Sequence, residues 1–310
     1  MRLPTILSAA ATAGLGSLLS GAAFAQELEV VGQPLPELMG FQPAATELAR
    51  DLQGLDHMIL IIITVITIFV TALLIWVVIR YNQRANKTPA TFTHNSPLEI
   101  AWTVVPIIIL VFIGAFSLPV LFKQQEIPTA DITIKVTGNQ WYWSYEYTED
   151  GVTEAAEEAP IAFDSYMIGS PATGGTNMLT PEVEQQLAAA GYEREHFLLA
   201  TDTAVVVPIG KTVVMNVTAA DVIHSWKIPA FGVMQDAVPG RIAQLWFNAE
   251  RKGIYFGQCS ELCGTLHAYM PITVKVVSED VYAAWVAQAK AGDVLLSSGD
   301  LAQPLAVASN

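Results

Sequence analysis

Two stretches of the chain are apolar without interruption, and the remainder alternates between apolar and polar positions. Residues 58–79 carry no charge. At the helical rise they reach about 33 Å, enough to cross the hydrocarbon core of a bilayer. A second run, from Ile100 to about Phe122, opens with Ser96-Pro97-Leu98-Glu99. There Ser96 reads as the N-cap, Pro97 as the first helical residue and Glu99 as the capping-box partner. The pattern predicts a transmembrane helical hairpin over 58–122, with spans at 58–79 and 97–122. The loop 80–96 between them carries Arg80, Arg84 and Lys87. The positive-inside rule therefore places it in the cytoplasm and both termini outside, with Trp76 and Trp102 at the interface. Alone, such a hairpin justifies only a membrane anchor.

Beyond Lys123 the period shortens to two. Segments 131–138, 140–147, 203–210, 212–219, 245–247 and 272–277 read as short strands bounded by Gly, Pro and Asp. Many such strands predict an all-β sandwich or Greek-key barrel, here over 123–291. Residues 148–202 break the rhythm with the acidic run 154–158, a Gly/Pro-rich turn at 169–175 and a short helical PEVEQQLAAAG. They read as an insertion, with His196 on the surface. Residues 280–291 form a closing amphipathic helix with Tyr282, Trp285 and Val286 on one face, and the small, polar tail 292–310 is expected to be disordered.

The N-terminus adds a compartment. Arg2, an apolar run and Ala23-Phe24-Ala25 predict a secretory signal peptide over 1–25, with 26–57 as an extracytoplasmic lead-in. The hydrophobic fraction of 52% agrees with a membrane component, and the net charge of −14 lies mostly beyond Lys123. An acidic outer domain repels nucleic acid and attracts basic partners in a salt-sensitive way. A merely soluble acidic surface has the same composition.

Chemistry concentrates in GQCSELCGTLHAYMP, where Cys259, Cys263, His267 and Met270 fall within twelve residues and include the only two cysteines. A second imidazole is offered by His224 in DVIHSW, at the end of a strand-like run. Two thiols, two imidazoles and a thioether suit copper. The Cys2His2 subset would also suit zinc, and Met270 tips the choice because a thioether is a weak axial ligand of copper electron-transfer sites. A Cys259–Cys263 disulfide is the bland alternative in an oxidising compartment.

This pattern, a strand-end His followed by C-x-x-x-C-x-x-x-H-x-x-M, resembles the dinuclear CuA site of cytochrome c oxidase subunit II of the bacterial aa3 type. The likeness extends over about residues 54–290, including SPLEIAWTVVP and QWYWSYEY. It implies a cupredoxin-like domain with two coppers bridged by Cys259 and Cys263. His224 and His267 would be terminal ligands, with Met270 and the Glu261 carbonyl as weak ones. The Glu261 carboxylate would reach a Mg²⁺ or Mn²⁺ ion shared with subunit I.

The resemblance also implies that Trp141 receives electrons from cytochrome c, that Glu146 and Asp221 steer its docking, and that Glu99 stands at a proton-pathway entrance. Each has a plainer reading: core packing for the aromatic strand, a helix cap for Glu99, an exposed surface for Glu261. The stretch FGV-x-QDAVPGR carries Met234 where members of the family often carry Lys.

On this reading the chain is an oxidoreductase subunit of a proton-pumping translocase in the bacterial inner membrane. It passes electrons from cytochrome c toward subunit I, which holds haem a, haem a3 and CuB, in company with subunit III and lipid. The chain alone is not expected to reduce oxygen. A quinol oxidase subunit II would lack the copper ligands, and a nitrous oxide reductase would need more than the five histidines present and no membrane hairpin.

Overall fold

The computed structural model describes residues 28–148 and 161–294. The expected signal peptide, the acidic run 154–158 and the tail from residue 295 lie outside the described residues. Two long helices lead into a β-domain. α1 spans Glu47–Arg80 and α2 spans Ser96–Gln125, and their apolar side chains are exposed on every side. A helix apolar all round has to be covered by lipid or by other helices.

α1 begins eleven residues before the apolar run, and the reason is tertiary. Thr46 is the N-cap, accepting from Ala49 N at 3.0 Å, while its hydroxyl donates to the Phe231 carbonyl of the β-domain at 2.7 Å. Ala45 N donates to Ala230 O, and Glu250 N to Ala45 O. Leu48 and Ala49 are buried there. The first turns of α1 are thus part of the domain's surface layer. Arg50 grips Glu250 with both terminal guanidinium nitrogens, at 2.6 and 2.8 Å. Lys123 at the end of α2 contacts Glu47 and Asp51, each at 2.7 Å.

At the other end of α2 the cap differs from expectation by one residue. Asn95, rather than Ser96, accepts from Leu98 N, and Glu99 Oε1 accepts from Asn95 N. Either side chain can cap; the asparagine reaches one residue further out.

The β-domain is a two-sheet sandwich. β1 is Val30–Gly32, β2 Ile132–Asn139, β3 Tyr142–Thr148, β4 Ile161–Ser165, β5 Val205–Pro208 and β6 Thr212–Ala219. β7 is His224–Ile228, β8 Val233–Ala237, β9 Ala243–Asn248, β10 Gly253–Gln258 and β11 Pro271–Val277. One sheet has the order β4-β3-β2-β6-β9 and the other β1-β10-β11-β5, with β7-β8 as a separate hairpin. Ile134, Val136, Trp143, Tyr145, Met215, Phe247, Tyr255, Ile272 and Val274 form the core between them. Side chains of this size each stabilise the fold by roughly 1.5–3 kcal/mol when fully buried. α3 (Pro181–Ala189) and α4 (Glu279–Lys290) pack outside, α4 burying Trp285.

Two sequence expectations change. The sheet continues into the supposed insertion, because β4 pairs with β3 along five residues; its short alternation was hidden beside the acidic run. His196, expected on the surface, is buried. Its Nδ1 accepts from Glu193 N and its Nε2 lies 2.9 Å from Gln33 Oε1, with Phe256 and Tyr192 against the ring.

These partners require the neutral ring. Burial holds the His196 pKa below its ordinary value, against the pull of Glu195 and Glu193. Below about pH 6.5 the unfolded chain therefore takes up the proton first, and this contact loses stability as pH falls. Amide exchange over 166–202, corrected for intrinsic rates, is expected to accelerate between pH 7.5 and 5.5, and His196→Gln should remove that dependence.

Candidate metal centre

The antiparallel pair β10 and β11 ends on the rung Gln258–Pro271, so the chain between them, 259–270, is a loop whose two ends are held side by side. Cys259 follows the last residue of β10 and Met270 precedes β11, which pins both to the end of the core. β7 opens with His224, and Ser260 N donates to Ser225 O, stitching the two ligand-bearing segments together. Gly138 of β2 lies directly beneath the imidazole. A Cβ there would sit 2.8 Å from His224 Cδ2, closer than packed carbons approach, so the ring needs a glycine below it.

The sequence-predicted ligands converge. The candidate ligand atoms of His224, Cys259 and Cys263 all lie within 4.8 Å of one another. Cys259 Sγ is 3.9 Å from Cys263 Sγ, so the two thiols are free rather than joined. His224 Nδ1 is 3.9 Å from Cys259 Sγ, and His267 Nδ1 is 3.5 Å from Cys263 Sγ. The sulfurs are therefore central, with one imidazole beside each. Met270 Sδ lies 3.5 Å from Cys263 Sγ, and the Glu261 carbonyl 3.2 Å from Cys259 Sγ. The donor set is soft, of the kind that holds copper or zinc, and the thioether of Met270 beside it suits copper. Cys259, Cys263, Met270 and His224 are buried, while Glu261 projects into solvent.

Electrostatics separates the two thiols. Burial acts to raise the Cys259 pKa, but the His224 imidazole and nearby backbone bonds bring it below the ordinary thiol value. Cys263 is pushed up to about 12 by burial and then by the charge on Cys259. Burial likewise opposes the charged form of His224, which Cys259 and Asp221 favour on balance.

Asp221 is engaged inward. Its Oδ1 is 2.9 Å from His224 Nε2 and accepts from Val222 N, and its Oδ2 accepts from Gln140 N at 2.7 Å. This carboxylate fixes the tautomer and tilt of the His224 ring, the arrangement that carboxylates behind metal-binding imidazoles provide. Glu146 pairs across the strand with Lys135 at 2.9 Å. Glu99 lies far along the chain from the loop, at the start of α2, beside Ser96, Ile100, Thr103 and Val104.

The aromatic strand divides its labour differently from simple alternation. Trp143 and Tyr145 are buried core, whereas Trp141 precedes β3 at the turn and is half-buried. Its indole Nε1 donates to the Cys263 carbonyl at 3.3 Å. Trp143, read from sequence as packing, also reaches the site. It donates to Met270 O at 3.2 Å and meets His224 edge-on. Gln140, the first residue of QWYWSYEY, for which the sequence suggested no separate role, donates its amide to Cys263 O at 2.8 Å.

Comparison with known proteins agrees with this geometry. Residues 132–277 match the model of the cytochrome c oxidase subunit II periplasmic domain, and residues 34–120 that of the subunit's transmembrane domain. The chain is 63% identical over 99% of its length to cytochrome c oxidase subunit 2 of Cereibacter sphaeroides, covering 99% of that protein. It is 43% identical to a probable cytochrome c oxidase subunit 2 of Rickettsia bellii, over 82% of this chain and 85% of that one. A crystal structure of the periplasmic domain of subunit II of cytochrome oxidase from Bradyrhizobium japonicum is 42% identical, covering 54% of this chain and 98% of the other, with a TM-score of 0.41. α1 and α2 are accordingly the two spans of an inner-membrane protein, the β-domain is cupredoxin-like, and the chain belongs to the cytochrome c oxidase subunit II family.

Proposed function

We propose that this subunit receives single electrons from reduced cytochrome c at Trp141 and relays them toward haem a of subunit I, where oxygen is reduced to water with proton pumping. The observation that carries the reading is the pair of free thiols flanked by two imidazoles, with the Trp141 indole bonded to the Cys263 carbonyl. Cys259, Cys263, His224, His267, Met270 and the Glu261 carbonyl would hold a dinuclear copper centre. When bound, it supplies a one-electron couple whose charge is shared between two metals.

The protein's part is to keep that set rigid and dry. Asp221 orients His224, Trp143 braces the Met270 backbone, and the burial of the thiols excludes water. The exposed Glu261 carboxylate would take a Mg²⁺ or Mn²⁺ ion at the subunit I boundary, as hard oxygen suits such ions. The negative charge of the outer domain would steer a basic cytochrome c, with Glu146 and Asp221 at the docking face, giving a fast and salt-sensitive encounter. Glu99 would collect protons at the cytoplasmic side, which places both termini in the periplasm, and subunit III and lipid would cover the exposed spans.

Metal analysis and EPR of the purified full chain test the centre: two coppers and a seven-line mixed-valence pattern are expected, and one zinc or one copper per chain would refute it. Trp141→Phe keeps an aromatic ring but removes the N–H. Electron entry at saturating cytochrome c is expected to slow by about tenfold or more, the scale of losing an outer-shell contact, with affinity nearly unchanged. An unaltered entry rate removes Trp141 from the path.

A further inference from the structure

We infer that Gln140 is a positioning residue for electron entry, a strut that holds the Trp141 indole and the Cys263 loop in register with the His224 loop. The inference rests on the function proposed above and extends it to a residue with no assigned role. Gln140 occupies the turn between β2 and β3 and touches both ligand-bearing segments at once. Its main-chain N–H donates to Asp221 Oδ2 at 2.7 Å, and the other oxygen of that carboxylate holds His224 Nε2 at 2.9 Å. Its side-chain Nε2 donates to the Cys263 carbonyl at 2.8 Å. One residue thereby spans from the carboxylate that holds the His224 imidazole to the backbone of Cys263.

The indole shares that acceptor. Trp141 Nε1 reaches the same carbonyl at 3.3 Å, a longer bond than the amide makes. A carbonyl oxygen has two lone pairs, and the shorter, charge-neutral amide bond anchors it for the longer one. The Cys263 side chain is seated among Cys259, His267 and Met270, but the backbone on either side of it is open. Leu262 on one side is 77% exposed, and Gly264 on the other is exposed as well. Without the Gln140 amide, the carbonyl would be held by the indole alone, and its peptide group could turn away from the indole while the Cys263 side chain stays seated. The half-exposed Trp141 would then lose a fixed heading toward the sulfur side of the site.

The test has two arms. In the full chain only two residues are cysteine, so carbonyl-¹³C cysteine marks two peptide groups for infrared spectroscopy. Gln140→Ala and the near-isosteric Gln140→Met should each move one of the two labelled amide bands to higher frequency, as a carbonyl does on losing a donor. In the assembled oxidase, single-turnover electron entry at saturating reduced cytochrome c should slow about tenfold, the scale of an outer-shell loss, while KM and its salt dependence stay put. Unshifted bands in both variants would overturn the inference, as would an unchanged entry rate. A raised KM with an unchanged saturating rate would equally overturn it, making Gln140 a docking contact. Trp141→Phe, run in parallel, separates the two claims. If it leaves entry unaltered the proposed route fails, while the infrared arm still judges the strut.

Discussion

Cys263→Ser is expected to abolish the two-copper stoichiometry of the full chain, with an affinity loss of more than about a hundredfold, beyond the range for outer-shell partners. Cys263 lies at the crossing of the site's contacts: Cys259 Sγ at 3.9 Å, His267 Nδ1 at 3.5 Å and Met270 Sδ at 3.5 Å. A hydroxyl oxygen is harder than a thiolate and far less acidic, so it neither matches copper nor bridges two metals at neutral pH. The protein itself should survive, because serine is nearly isosteric and its hydroxyl can bond within the loop. Copper content and visible absorbance, read beside the thermal midpoint of the metal-free chain, separate the outcomes. Retention of two coppers would mean that Cys263 does not bridge.

Gly257→Ala should have the second large effect, this time on the fold that presents the site. Gly257 sits in β10 two residues before Cys259, where β10 crosses β7. A Cβ at this position would lie 1.9 Å from the Lys227 carbonyl oxygen and 2.7 Å from Ile228 Cδ1. Backbone oxygen cannot swing away as a side-chain tip can, so the strands carrying Cys259 and His224 must separate. Overpacking of a core costs 1–3 kcal/mol and sometimes more. With backbone as the obstacle, roughly 3 kcal/mol or above is expected. Denaturant titration of the full chain measures it, and a loss below about 1 kcal/mol would show that the strands yield cheaply. Copper retention should fall in step, since the His224–Cys259 spacing depends on that crossing.

Much of this site was legible because its chemistry is compressed. Four candidate ligands in a twelve-residue hairpin loop can hardly avoid converging, and His224 was marked by its place at a strand end. The spans were readable from their uniform apolarity, and β2, β3, β6 and β11 from their alternation. What stayed hidden depended on tertiary partners. The extra turns of α1 exist because Leu48 and Ala49 bury against the β-domain, which a residue pattern containing Arg50 and Asp51 conceals.

His196 looked solvent-exposed because its partners, Gln33 and Phe256, are distant in sequence. β1, β4, β8 and β10 are short or lie beside turn residues, and Gln140, though it opens QWYWSYEY, showed its bonding role only through the carbonyl it holds. Asp221, read as a docking carboxylate, spends its oxygens on His224, Val222 and Gln140. Any attraction it exerts on a partner is therefore secondary to its hold on the imidazole.

The grip of the β-domain on the head of α1 has a mechanical corollary. α1 runs unbroken for 34 residues, about 51 Å at the helical rise, and its first turns are clasped through Thr46, Ala45 and Arg50, with Lys123 lashing the neighbouring helix to the same point. A globule on a slack tether would sample many altitudes and bearings above the lipid. Here the same clasp ties the β-domain to the heads of both spans, so its tilt is set by the helices rather than by a loose linker.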